Sequence, residues 1–451
     1  MMRLLKCKSH NWVLNPLVIA GSGKKFDRRE KPIGERIPTG GNMATDRREF
    51  MIQSAGALAG VALLPGLEGW ARSIEDGYPV GIIGTGRQGR AIAAELQKIG
   101  AKIVAICDND APRLRSGSRR VKEAKTYSDA AEMLATEKGM EAVFVATPTH
   151  LHREVVEAAI AAGKHVYCEA PLAHTIEDAK AIAMAARGSS KVFQAGLLAR
   201  SNPVYSLARS FYRTEAFLKL VSMRGQNSRK DSWRQAASTA ERQARLDWRL
   251  NEATSTGLPG ELGTHQFDVF HWFTGKYPVR VQGRGGVLVW EDGRKVADTV
   301  NLVLEMEGGE CIEYQATLGN SYGGRYEVLH GVNSAFRLAW SHGWMFKEAD
   351  AATQGWEVYA NRQRFFNDEG ITLIADATKL ASQNKLKDGV GLPHDSLYYG
   401  IMDFLTSCQE EKFPKTGAGE GYRATVVGIA AHRAVVEGTT VEISPDDLKE
   451  A

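Results

Sequence analysis

Two small groups of residues in this chain carry chemistry. Gly84, Gly86 and Gly89 stand in VGIIGTGRQG, residues 80–89, directly after an apolar run over 80–83. At that spacing Gly84 permits a tight turn, Gly86 lets a pyrophosphate approach bare backbone, and Gly89 lets the next helix pack closely on the strand. A helix starting there offers unpaired N–H groups and a partial positive charge to phosphates. Asp108 ends the next apolar run, 103–107, about where the carboxylate that binds the ribose hydroxyls of a dinucleotide is expected. The second group is Glu261 and His265, four residues apart and therefore on one helical face. A carboxylate beside an imidazole orients the ring and raises its basicity, which suits general acid–base catalysis.

These residues need elements to hold them. Ile92, Ala93, Leu96 and Ile99 recur at helical spacing over 90–99. A basic segment runs from Asp108 to Lys125, and a helix is expected over 129–137. Strands over 142–145, 165–168 and 192–195 then alternate with helices over 154–162 and 176–187. This alternation predicts an α/β fold: a doubly wound parallel Rossmann sheet over residues 74–200, with ligands at the carboxyl ends of its strands. Asp108, the stretch Thr147 to His152, and Glu169 all fall at such ends.

After a linking helix over 203–211, residues 201–420 predict an α+β domain with an open, mainly antiparallel sheet. Its clearest alternating strands are 279–289, 299–306 and 311–318. One face of such a sheet commonly carries a substrate site and the other subunit contacts, so a homo-oligomer is expected. Residues 225–258 mix Arg229, Lys230, Trp233, Arg234, Trp248 and Arg249. They read either as a sugar pocket, with aromatic faces on pyranose rings and guanidinium donors on hydroxyls, or as a surface loop with snorkelling side chains. Residues 340–390 read as an irregular insertion, a lid or an interface, and helices are expected over 394–409 and 422–437.

The 451 residues suit two or three domains. Residues 1–73 carry 12 Lys and Arg against 6 Asp and Glu, so with an overall charge of +4 the rest of the chain is near −2. That part has no basic excess and no nucleic-acid footprint. Asp46-Arg47-Arg48-Glu49-Phe50-Met51, followed by a Gly/Ala-rich apolar stretch to Leu64, resembles a twin-arginine export signal over 43–73. The stretch is too short and weakly apolar for a stable membrane span. Periplasmic delivery is therefore expected, with residues 1–42 an unstructured leader or upstream of a true start at Met43. The five cysteines are scattered, with no CxxC pair and no ligand spacing, so no metal site is expected; Cys107 and Cys168 read as small core residues.

GIIGTGRQG, ICD, ATPTHLH, CEAP and GTHQFD, spread over 78–440, together resemble the Gfo/Idh/MocA family of sugar oxidoreductases. The resemblance implies that Gly84, Arg87, Gln88, Asp108, Thr147, Pro148, His150 and Glu169 contact NAD(P), with His152 and Arg200 in the same site. Asp108 favours NAD by repelling a 2′-phosphate, while Arg87 and Arg113 keep NADP open. It further implies a catalytic His265 oriented by Glu261, where the family usually has Asp, and a C-terminal segment, 421–451, packing back near the nucleotide domain. The family reads Glu-Lys-Pro where this chain reads Glu169-Ala170-Pro171. That lysine helps take the hydroxyl proton, and a methyl group does no proton chemistry. The implied function is NAD(P)-dependent hydride transfer on a sugar, polyol or glycoside. The alternative is a redox-neutral glycosidase or lyase that oxidises, eliminates and re-reduces.

Overall fold

The computed structural model describes residues 77–449 apart from 356, 358–360, 366–367 and 375–390. The leader and export segment expected over 1–73 lie outside the described residues, as does part of the insertion expected over 340–390.

Short apolar runs form β1 (Pro79–Ile83), β2 (Lys102–Cys107), β3 (Lys125–Tyr127), β4 (Ala142–Val145), β5 (His165–Cys168) and β6 (Phe193–Ala195). They make one parallel sheet in the order β3-β2-β1-β4-β5-β6. β4 and β5 are buried along their whole length, as strands covered on both faces must be. The covering helices are α1 (Arg87–Ile99), α2 (Ala111–Ser118), α3 (Ala130–Thr136), α4 (His152–Ala161) and α5 (Ile176–Arg187). Side chains cap three of them, with Asp110, Asp129 and Thr175 accepting from the backbone N–H of Arg113, Glu132 and Asp178. The winding reverses between β1 and β4, which opens a crevice at their carboxyl ends. The basic segment after Asp108 hides α2 and β3. α2 buries only Gly117 and so shows no apolar stripe, and a three-residue edge strand is too short to show a period.

The second half begins with α6 (Pro203–Tyr212), β7 (Leu220–Ser228) and α7 (Ala240–Leu246). A π-helical turn, Pro259–Gly263, then runs into α8 (Thr264–Thr274). β8 (Pro278–Gly286), β9 (Thr299–Met306), β10 (Cys311–Thr317), β11 (Arg325–Gly331) and β12 (Ser334–Ala339) follow. β13 (His342–Lys347), β14 (Asn361–Phe365) and β15 (Asp368–Thr372) come next, before α9 (Ser396–Glu410), α10 (Ala418–Glu437) and β16 (Val441–Glu442). Ten strands form one sheet, β14-β15-β13-β12-β11-β7-β10-β9-β8-β16, antiparallel except where β7 and β10 pair in parallel. β9 alternates in the expected way, burying Val300, Leu302, Leu304 and Met306 against Phe270 of α8 and Ala430 and Ala434 of α10.

Residues 340–390 are not simply an irregular insertion. β13 pairs with β12 and β15, and β15 with β14, so this stretch extends the sheet. β8 ends at Gly286 rather than 289 because the N–H groups of Leu288, Val289 and Trp290 donate to the Asp298 carboxylate instead of a neighbouring strand. The start of α10 buries Tyr422 and Ala424 among Val166, Cys168 and Ala195, while its later turns bury Val427 and Ala431 with the second-half core. Cys107 and Cys168 are buried free thiols whose pKa values burial raises, that of Cys107 to about 12. Among the described residues no helix is long and apolar enough to cross a membrane, and no cluster of three His, Cys, Asp or Glu could hold a metal.

Candidate active site

A cavity of about 600 Å³ opens at the carboxyl ends of β1, β2 and β4, lined by Gly84, Gly86, Asp108, Thr147, Pro148 and His150 among others. Gly84 has φ +95°, and a Cβ there would lie 2.6 Å from the Ala146 carbonyl carbon. A Cβ on Gly89 would lie 1.8 Å from the Gly84 oxygen, so helix and turn touch backbone to backbone. Gly86 differs: its Cβ would meet only the Arg113 guanidinium, at 3.7 Å. Bare backbone thus faces open space at the start of α1, which has no side-chain cap. Asp108 Oδ2 accepts from Thr85 N at 2.8 Å and Thr85 Oγ1 at 3.0 Å, and Oδ1 accepts from Asp110 N at 2.8 Å. The carboxylate is therefore fixed against the glycine turn with one lone pair, on Oδ1, to spare. Uncapped N–H groups, an open Gly86 and a fixed acid fit a dinucleotide. His150, 5.8 Å ring to ring from Trp248, is kept below its ordinary pKa by burial and then by His174.

A strap from the second half crosses this cavity. Asp231 pairs with Arg87 at 3.2 Å, Gln235 accepts from Arg113 Nη2 at 2.8 Å, and Arg242 pairs with Asp110. Ala244, Arg245, Leu246 and Trp248 complete the wall. Arg242 also holds the Asp110 carboxyl below its ordinary range.

A second cavity, about 470 Å³, meets the first at Ala146 and Thr147. Glu169 and Ala170 enter it from the end of β5, Glu261 and Leu262 from the π-helical turn, and His265 from the first turn of α8. Arg229, Arg249, Arg325 and Trp340 complete its polar side. Gln88 Nε2, in the first turn of α1, donates to Glu169 Oε1 at 2.9 Å. Burial pushes the Glu169 pKa up to about 7 against the pull of that bond and of Arg249. Burial, and then Arg325, pushes the His265 pKa down to about 3.

The structure corrects several expectations. Glu261 does not hold His265. Its Oε1 accepts from Thr149 Oγ1 at 3.2 Å and Thr256 Oγ1 at 3.0 Å, its Oε2 accepts from Arg249 Nε at 3.2 Å, and the buried His265 Nδ1 has no hydrogen-bond partner. The π-helical turn explains this, because four residues on such a turn no longer share an α-helical face. Glu261 instead ties the loop after β4 to the second half. His152 is not available to a cofactor: Nδ1 lies 3.1 Å from the carbonyls of Pro171 and Leu172 and Nε2 3.0 Å from that of Thr147, so the ring braces the loop. Arg200 lies outside both cavities and forms a bidentate pair with Asp268, through Nε at 3.0 Å and Nη2 at 2.7 Å. Arg87 is 83% exposed and held by Asp231 rather than lining the nucleotide cavity. Of the mixed Arg/Trp stretch, Arg229 and Arg249 line the second cavity, Trp248 lines the first, and Arg234 lies at the surface on Asp247 and Asp292. Arg325 and Trp340 were missed. They sit at the start of β11, whose inward positions include the charged Glu327, and just after the end of β12, so no apolar alternation marks them.

Residues 78–197 match the family described as "Oxidoreductase family, NAD-binding Rossmann fold", and residues 220–336 match the "GFO/IDH/MocA C-terminal domain". The chain belongs to the Gfo/Idh/MocA oxidoreductases. Inositol 2-dehydrogenase 1 of Saccharopolyspora erythraea is 26% identical over 376 residues, 82% of this chain and 97% of that protein. Levoglucosan dehydrogenase of Pseudarthrobacter phenanthrenivorans is 32% identical over 136 residues, 30% of this chain and 33% of that one. A solved structure of a levoglucosan dehydrogenase in complex with NADH superposes with a TM-score of 0.64 at 19% identity, covering 82% of this chain and all of that one. That likeness extends the shared fold across both halves of this Gfo/Idh/MocA protein.

Proposed function

We propose that this chain oxidises a secondary hydroxyl of a sugar or polyol with NAD. The observation that carries the reading is the junction of the two cavities at Ala146 and Thr147, which joins a dinucleotide-shaped site to one holding Glu169 and His265. The inositol and levoglucosan dehydrogenases among its relatives support the substrate class. Gly84, Gly86, Asp108, Thr147 and Pro148 would hold NAD, which when bound supplies the hydride acceptor. Asp108 favours NAD over NADP, because a 2′-phosphate would meet its charge. Asp108→Ala is expected to weaken NADH binding by about 1.5–3 kcal/mol, the worth of a hydrogen bond to a charged group, in a fluorescence titration; unchanged affinity removes Asp108 from the site.

The protein must still take the hydroxyl proton, and Ala170 presents a methyl group to the cavity where the family has lysine. Glu169, with its pKa near 7, is matched to that task at neutral pH. The neutral His265 ring would position the sugar by accepting from a neighbouring hydroxyl at Nε2, leaving the reacting hydroxyl's proton to Glu169. A base must be deprotonated to act, so activity is present above the Glu169 pKa of about 7 and falls about tenfold per pH unit below it. Glu169→Gln should abolish that limb, and a profile flat from about pH 5 to 8 rejects Glu169 as the base.

A second reading, redox-neutral glycoside cleavage, is favoured by Ala170 alone. Free sugars, polyols and aryl glycosides incubated with protein and NAD separate the two, following NADH and released aglycone together. NADH formation supports the dehydrogenase, aglycone without net NADH the alternative, and neither product from any of them rejects both. We also propose twin-arginine export to the periplasm from the Arg47-Arg48 motif, so changing both to Lys should leave the precursor in the cytoplasm; unchanged export refutes it.

A further inference from the structure

One cation in the second cavity has no paired carboxylate of its own among the described residues. Three guanidinium groups line it, from Arg229, Arg249 and Arg325. Two are matched: Arg249 by Glu261 at 3.2 Å and Arg325 by Glu327 at 3.4 Å. Glu169, the other carboxyl in the wall, is held by Gln88 rather than by an arginine. Arg229 makes no ion pair among the described residues and its Nε is buried without a hydrogen-bond partner; Asp231, which pairs with Arg87, offsets its charge only from a distance. A desolvated cation without a partner is costly, and proteins keep one where a ligand supplies the missing charge.

The three side chains are also braced. Arg229 lies 5.6 Å from the Trp233 ring, Arg249 4.3 Å from Trp248, and Arg325 3.7 Å from Trp340. Guanidinium groups held by stacking are pre-organised, and with Nε buried or engaged in all three it is the terminal Nη groups that would meet an oxyanion. Neutral hydroxyls need no unpaired guanidinium. The nucleotide phosphates have their own site at the uncapped start of α1.

We infer that the substrate is an anionic sugar, carrying a carboxylate or phosphate that Arg229 binds with help from Arg325 and Arg249. The inference rests on the oxidoreductase reading and names its substrate class.

The test offers the full-length protein and NAD two matched pairs, D-glucose with D-glucuronate and D-galactose with D-galacturonate, together with D-glucose 6-phosphate, and follows NADH. An acidic sugar should exceed its neutral partner in kcat/KM by about tenfold or more. The gap should narrow as salt rises from about 20 to about 500 mM. A uronate in front assigns carboxylate, and glucose 6-phosphate in front assigns phosphate. Arg229→Gln should reduce the acidic-to-neutral ratio roughly 10- to 100-fold, and Arg229→Lys should restore part of it. NADH binding by both variants shows that they are folded. Neutral sugars turned over as well as acidic ones, at a ratio that Arg229→Gln leaves alone, overturn the inference while the dehydrogenase stands. Should no sugar yield NADH, calorimetric titration of the same sugars into the NADH-loaded protein decides. Tighter binding of an acidic sugar, lost in Arg229→Gln, keeps the anion site while the oxidation reading fails; equal binding overturns the site.

Discussion

His265→Ala is expected to lower kcat/KM for the oxidised sugar by about 10²–10³, the range lost with one preorganised hydrogen-bonding group at a reacting centre. The ring lines the substrate cavity with Nδ1 buried and unpartnered, which leaves Nε2 to meet a substrate. Burial and Arg325 hold its pKa at about 3, so the imidazole is neutral at every working pH. It accepts a hydrogen bond from a hydroxyl without first losing a proton. The loss on mutation should therefore be the same at about pH 6 and pH 8, in contrast to the pH-dependent limb assigned to Glu169. NADH affinity should change little, because the glycine turn and Asp108 belong to the other cavity. Full turnover by His265→Ala would remove the residue from the mechanism. Tyr326 is then no ready substitute, since its hydroxyl already donates to Gln226, and Tyr322 is 88% exposed.

The second large effect is on stability. Asp268→Ala leaves the Arg200 guanidinium buried without its paired carboxylate. Breaking a buried pair in this way costs about 3–5 kcal/mol, because the surviving charge remains desolvated. The side chains are 10% and 1% exposed, so solvent offers little relief. The pair joins the turn after β6 to α8, and α8 carries His265. Urea unfolding of the full chain should show a lower midpoint, with Asp268→Asn intermediate because it keeps a hydrogen-bond acceptor. An unchanged midpoint for Asp268→Ala refutes the structural role. Loss of NADH affinity at unchanged stability would return Arg200 to the cofactor site.

The nucleotide-binding half was legible because its signals are local. VGII before three glycines, AVFV and HVYC are apolar runs flanked by turn residues, and buried parallel strands have that form. Their order along the chain places Asp108, Thr147 and Glu169 at one sheet edge without any knowledge of contacts. The second cavity was harder to read. Its charges come from β11, the π-helical turn and the loop after β7, and their pairing is set by tertiary contact. The spacing of Glu261 and His265 suggested a shared helical face, and one π-turn was enough to send the carboxylate to Thr149, Thr256 and Arg249. β13 spans six residues and β14 and β15 five each, so short strands inside a polar stretch read as irregular. His152 and Arg200 are the residue types a nucleotide site uses. Only their partners, three backbone carbonyls and one carboxylate, show that they support the site instead.

The strap across the nucleotide cavity bears on residence time. A ligand in that cavity is walled by Ala244, Leu246 and Trp248, on a segment fastened by the Arg87–Asp231, Arg113–Gln235 and Arg242–Asp110 contacts. Where a ligand leaves past this segment the fastening opens, and dissociation is then a step separate from the chemistry in the neighbouring cavity. A catalyst that discharges its spent nucleotide by that route each cycle must unfasten the segment each cycle, and would show a fast first turnover followed by a slower steady state. One that restores its nucleotide in place could run many cycles behind a closed strap.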